Sequence, residues 1–109
     1  MNANEKPSTN YTGFTICGNL TRDLEVNPDH PNIATIHLAC NDAPDHVSYF
    51  DIAYNGASRI AEFGPLLKKG AFVKVKGAIR QDRWEAADGS KRSKIVFSAT
   101  SVEHFGDAK

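Results

Sequence analysis

The stretch Phe72–Phe97 reads FVKVKGAIRQDRWEAADGSKRSKIVF. Two apolar runs flank a loop that carries Arg80, Arg83, the single tryptophan Trp84, the pair Asp88-Gly89, and Lys91, Arg92 and Lys94. Side chains alternate sides along a strand, so Val73, Val75 and Ile79 face a core while Lys74, Lys76 and Arg80 face water. Asp-Gly between such runs marks a turn, because glycine accepts positive φ without steric cost and Asp tolerates it better than most residues. The stretch is therefore a long hairpin with a cationic face and an aromatic side chain on its arm. Its strands are Phe72–Arg80 and Ser93–Val102, the second placing Ile95, Phe97 and Ala99 on one face.

Working back from the hairpin, Ala57–Phe63 fits a short helix with Ile60, Ala61 and Phe63 near one side. Gly64-Pro65 breaks it, and Pro65 suits the start of a further turn, LLKK, closed by Gly70. Lys68 and Lys69 then fall where a helix C-terminus favours cations. Val47–Tyr54 is a strand with Phe50, Ile52 and Tyr54 on one face and Tyr49, Asp51 and Ala53 on the other. Ile33–Cys40 is another, with Ile36, Leu38 and Cys40 inward, and Thr35 and an exposed His37 outward. Phe14–Leu20 is the first strand, and Gly18 within it suggests a bulge or sharp bend. Residues 21–32, with Pro28 and Pro31, and the hexapeptide NDAPDH at 41–46 read as turns.

The order is β-β-β-α-β-β. That is the layout of an all-β OB-fold, a five-stranded Greek-key barrel with one short helix between strands 3 and 4. Residues 1–11, polar and without periodicity, form a flexible N-terminal arm; 12–105 are the domain; 106–109 are a short tail.

Length and composition bound the rest. With 109 residues the chain is one domain with one modest core. Its 13 basic and 13 acidic residues cancel, but their placement does not. Residues 1–58 hold two basic residues, Lys6 and Arg22, against seven acidic ones; residues 59–94 hold ten basic against four acidic. A basic half points to a polyanionic partner. Cys17 and Cys40 sit inside apolar runs and read as reduced core thiols. The four histidines lack metal-site spacing, so neither a metal nor a cofactor is expected. No apolar run reaches the roughly 18–20 residues of a membrane span, and the N-terminus lacks a signal-peptide core, which makes the cytoplasm the default location. Asp23, Glu25, Asp51 and Glu85 make no catalytic constellation, and no phosphate-binding glycine loop is present; enzymatic function is not expected.

Six segments carry a further signal: GNLTRDLEV at 18–26, IHLAC at 36–40, YFDIAYNG at 49–56, LLKKG at 66–70, VKVKGAIRQDRW at 73–84 and DGSKR at 88–92. In that order they resemble the bacterial single-stranded DNA-binding protein family, and the likeness runs from about residue 12 to 103. The resemblance implies an OB-fold assembled as a homotetramer, or secondly a dimer, around which single-stranded DNA wraps without sequence readout. It implies replication, recombination or repair as the setting, with replication or recombination proteins as further partners. Trp84 and Tyr49 match family stacking positions, and Arg80 matches a basic residue of the DNA face. Lys74, Lys76, Arg83, Arg92 and Lys94 join them by pattern and proximity.

Departures from the family are equally specific. Asn55 stands where many members carry an aromatic, Asp82 where they carry an arginine, and NDAPDH replaces a long loop. These changes imply weaker or smaller-site binding. The sequence ends at GDAK without the Gly/Pro/Gln-rich linker and acidic tip of chromosomal members, which fits either truncation or a tail-less plasmid, phage or mobile-element variant. The runner-up reading is a primosome-like accessory OB protein acting mainly through replication proteins.

Overall fold

The computed structural model describes residues 10–106. The elements are β1 (Phe14–Leu20), β2 (Glu25–Asn27), β3 (His30–Ala43), β4 (His46–Asn55), α1 (Ala57–Phe63), a 3-10 turn at Gly64–Leu66, β5 (Phe72–Glu85) and β6 (Lys91–Gly106). Strand order is β1-β5-β6-β4-β3-β2, and β1 also pairs with β3, so pairing runs round the five long strands and returns to its start. Among the described residues only β4 and β6 run parallel. This is the expected OB-fold, with the helix between the third and fourth long strands and β2 added at an edge.

Alternation builds the core. Ile16 and Leu20 of β1, Ile36 and Leu38 of β3, Ile52 and Tyr54 of β4, and Val73 and Val75 of β5 are buried, with Leu67, Ala71 and Ala99 closing the cluster. Phe97 joins them edge-on to both Phe14 and Phe50, with ring centroids 5.2 and 5.7 Å apart. Edge-to-face geometry sets the positive ring edge against the negative face.

Two glycines are fixed by close backbone approach. A Cβ on Gly77 would collide with the Ser98 carbonyl, and one on Gly18 with the Ala39 carbonyl. The β5–β6 register shifts between Lys76 and Gly77, leaving Thr100 as the extra residue, and this lets Ala99 and Val102 both turn inward. Gly18 itself is no bulge: β1 pairs with β5 without a shift from Phe14 to Asn19. The glycine is there because β3 comes too close for a side chain.

The strands are longer than their apolar runs suggest. β5 continues past its expected end at Arg80 through Arg83 and Trp84 to Glu85, so Arg83 and Trp84 lie on strand and not in a loop. β3 and β4 meet across a two-residue turn, Pro44-Asp45, with Asp45 at φ 61. The segment 21–32 holds β2 and the start of β3. After α1 the 3-10 turn falls on Gly64–Leu66 and not on LLKK, and Gly70 turns at φ 91. Lys68 and Lys69 serve Asp23 instead of a helix end: the Lys69 amide donates to the Asp23 carboxylate at 2.8 Å, and Lys68 Nζ lies 3.7 Å from it.

Three side chains sit differently from expectation. Ile95 lies on the core-facing side of β6 but beyond the core, and is 58% exposed. Cys17 is outward and exposed; it and Cys40 are free thiols. His37 is half-buried, with Nδ1 2.6 Å from Asp51 Oδ1 and Nε2 3.6 Å from Glu25 Oε1. Of the expected flexible arm, residues 1–9 lie outside the described residues, as do 107–109 of the tail; Gly106 belongs to β6.

Candidate nucleic-acid interface

Beyond the core, β5 and β6 leave the barrel together as an arm. The ladder runs unbroken from Ile79↔Phe97 to Glu85↔Lys91. A tight turn closes it: the Ala86 amide donates to the Ser90 carbonyl at 2.8 Å, the Gly89 amide donates to the Ala86 carbonyl at 2.9 Å, and Gly89 sits at φ 85. Asp88 accepts from the Ser90 amide at 2.9 Å and from the Ser90 hydroxyl at 2.6 Å. These bonds, the hydroxyl's first, hold the Asp88 carboxyl below its usual value. Arg92 is drawn back to the same turn, its Nε donating to Ser90 Oγ at 3.2 Å.

Directly paired residues share a face of the ladder. Trp84 is paired with Arg92, Asp82 with Lys94, and Arg80 with Val96. Trp84, Arg92, Lys94 and Arg80 therefore occupy one side of the arm, with Asp82 in their midst. Arg83 is paired with Ser93, on the other side, and its Nε and Nη2 both donate to Gln81 Oε1 at 3.2 and 3.0 Å. Alternation thus sets Arg83 and Trp84 on opposite faces of the strand. Two-stranded ribbons twist strongly, however. Arg83 and Trp84 both border one open groove of about 510 Å³, together with Gln81, Glu85, Lys91, Arg92 and Ser93. Lys91 belongs to this groove and was not singled out from sequence; its pairing with Glu85 across the turn is the signal that places it there.

Tyr49 reaches the same region from β4. The parallel β4–β6 contact aligns Ile52 with Phe97 and Ala53 with Ser98. Carried three residues past Ile52↔Phe97, where the pairing itself ends, that register would set Tyr49 level with Lys94 and Asp51 level with Val96. The strands separate there, which leaves Tyr49 73% exposed at the foot of the arm; Trp84, farther out, is 47% exposed. A buried aromatic makes core; an exposed one offers a face on which a flat ligand can stack.

Lys74 and Lys76 share the outward face of β5 but not this neighbourhood. Lys76 lies about 13 Å and Lys74 about 20 Å along the strand from Arg80. They pair with Ser101 and Glu103 on β6 and with Thr15 and Cys17 on β1. Asn55, at the end of β4, is exposed. Among the described residues, no group of three or more His, Cys, Asp or Glu side chains could hold a metal ion, and no helix is long and apolar enough to cross a membrane.

An OB-fold whose exposed aromatics stand beside cationic strand residues defines a class of binding modules for single-stranded nucleic acid. Comparison with known proteins narrows the class: residues 11–105 match the Single-strand binding protein family, and the chain belongs to it. The chain is 32% identical over 104 residues to the single-stranded DNA-binding protein of Helicobacter hepaticus, covering 85% of this chain and 60% of that protein. It is 34% identical over 102 residues to that of Treponema pallidum, covering 84% and 56%. For the protein of Wolinella succinogenes the figures are 32% over 104 residues, covering 85% and 63%. The chain thus spans about three fifths of the length of these relatives. In fold it is similar to crystal structures of Rim1, a mitochondrial single-stranded DNA-binding protein of S. cerevisiae. Two of them give TM-scores of 0.68 and 0.73 at 16% and 15% identity, each covering 92% of this chain and 100% of that one. The family is named for binding and not for a reaction.

Proposed function

We propose that the chain binds single-stranded DNA without sequence readout, on the arm and the foot of the arm. The observation that carries this reading is the outward cluster of Trp84, Arg92, Arg80 and Lys94 on the arm, with a second exposed aromatic, Tyr49, on the adjoining strand β4. Bases stack on Trp84 and Tyr49, each contact contributing about 1–3 kcal/mol, and every base offers a π-face, so sequence hardly matters. Arg80, Arg92, Lys94 and, through the groove, Arg83 and Lys91 take phosphates. Lys76 is a peripheral phosphate contact. Lys74 contributes less, since Glu103 lies across the ladder from it and offsets its charge.

Such binding would serve to protect single strands during replication, recombination or repair, and a homotetramer would lengthen the path for DNA. The names of the bacterial relatives support single-stranded DNA binding; the setting and the tetramer rest on the family resemblance. A location in the bacterial cytoplasm or nucleoid fits the same partner. Fluorescence anisotropy with labelled oligo-dT and a duplex of equal length tests the function. Binding of the single strand at least tenfold tighter than the duplex supports it; equal affinity or no binding refutes it.

A further inference from the structure

We propose that His37 is a positioning residue for single-strand binding: with Asp51 and Glu25 it forms a proton-sensitive cluster beside Tyr49 that strengthens binding as pH falls. This rests on the reading above and adds a regulation of that site. His37 and Asp51 are direct partners across β3 and β4, and Ala39 and Tyr49 are the next pair on the same face. Asp51 therefore lies about 7 Å along the strand from Tyr49. A phosphate beside a base stacked on Tyr49 is within reach of that carboxylate, because salt screens charges only over about 8 Å at physiological strength.

The imidazole is held between acids from two other strands. Its Nδ1 lies 2.6 Å from Asp51 Oδ1, and its Nε2 lies 3.6 Å from Glu25 Oε1. Nε2 is buried and has no hydrogen-bond partner among the described residues. A neutral ring that donates from Nδ1 to Asp51 turns a bare lone pair toward Glu25, whereas the protonated ring donates from both nitrogens. Each neighbouring element contributes differently. β4 brings Asp51 and, diagonally, Tyr49; β2 brings Glu25; the segment before β2 brings Arg22, 3.3 Å from Glu25 Oε2. β1 carries no charged side chain, and α1 packs against the inward face through Ile60 and Phe63. With His37 neutral, one guanidinium stands against two carboxylates, a net charge of about −1; a proton on His37 cancels it. The His37 side chain is 14% exposed and that of Asp51 77%, so the ring acts from behind the carboxylate and does not itself meet the strand.

Fluorescence anisotropy with labelled oligo-dT at several pH values across the histidine range, about pH 8 to 5.5, tests the proposal. Affinity of the wild-type chain should rise about threefold over that range, the effect of one solvated charge. His37→Gln keeps a donor for Asp51 but takes no proton, so its profile should be flatter. His46→Gln, at the β3–β4 turn, should leave the wild-type profile in place. Proton binding and strand binding are reciprocal. The His37 imidazole signals of the wild-type chain, followed by NMR, should therefore titrate at higher pH with oligo-dT bound than without it. A pH-independent affinity overturns the proposal, as does a profile that survives in His37→Gln or an imidazole titration that oligo-dT leaves unmoved. In those cases single-strand binding stands and the regulation alone falls. Absence of binding at every pH overturns both.

Discussion

Trp84 and Arg92 face each other across the β5–β6 ladder, so an aromatic ring and a guanidinium share one side of the arm close to its turn. Arg92 is held by Ser90 and lies 3.9 Å from Asp88, which positions it before any ligand arrives. If Trp84 stacks on bases, Trp84→Ala should cost on the order of 1–3 kcal/mol of oligo-dT binding. Its exposure makes the fold insensitive, so circular dichroism and melting temperature should hardly change. Full affinity in the variant would return Trp84 to packing on its own hairpin.

Asp82 sits between Arg80 and Trp84 on the outward face and across from Lys94. Its carboxylate repels a phosphate path that the neighbouring cations attract. Asp82→Asn should therefore tighten oligo-dT binding by a few-fold, the effect of one exposed charge of about 0.2–1 kcal/mol. Anisotropy titrations at low and moderate salt check this, and the gain should shrink as salt rises.

Salt dependence counts the phosphates engaged. For single strands log K falls against log[salt] with a slope of about −0.7 per neutralised phosphate. Arg92→Ala should lower that slope in magnitude by about that amount. A flat response in the wild-type chain would contradict a cationic binding path.

The barrel's own tolerances give a stability test. Gly77 has the Ser98 carbonyl where a Cβ would go, whereas among the described residues nothing lies within 4 Å of that position at Gly106. Gly77→Ala forces the β5–β6 ladder apart and should cost about 1–3 kcal/mol by overpacking. Gly106→Ala should be near neutral. Thermal melts of the two variants decide the matter.

Acid should loosen specific corners of the fold. Asp23 is held below its usual value first by the Lys69 amide, Asp42 by His46, and Asp88 by Ser90. A carboxyl whose folded pKa is depressed adds stability that is present above its unfolded value, near 3.8, and is lost as pH falls through the folded one. The melting temperature should thus drop as pH falls below about 4. Asp23→Asn should reduce the steepness of that drop.

How much of this was readable in the chain differs by feature. Val73, Val75, Ile36, Leu38 and Ile52 announce the core, because alternation and burial are both local in their cause. The helix at Ala57–Phe63 was equally plain, bounded by Gly56 and Gly64. The arm was not: Arg80–Glu85 are polar, and nothing in a polar run distinguishes a paired strand from a loop. Its strand character comes from the six ladder pairs that Arg80–Glu85 make with β6, a long-range fact. For the same reason the split between Arg83 and Trp84 needs the strand assignment before alternation can be applied. His37 looked like an ordinary surface position because its acidic neighbours, Glu25 and Asp51, come from other strands. At Gly18 the local pattern suggests a bulge or bend that the structure does not have; the glycine answers instead to the approach of Ala39, a packing relation between strands distant in sequence.

Trp84 is the only tryptophan, so its emission reports on one place in the molecule. The most direct measurement is a titration of that emission with oligo-dT of increasing length at two salt concentrations. Quenching that is salt-sensitive and grows with length is the predicted result, and it sets Trp84 on the DNA. Tight binding by an independent method with no change in Trp84 emission would contradict the placement of the site on the arm. No binding by either method would contradict the function itself.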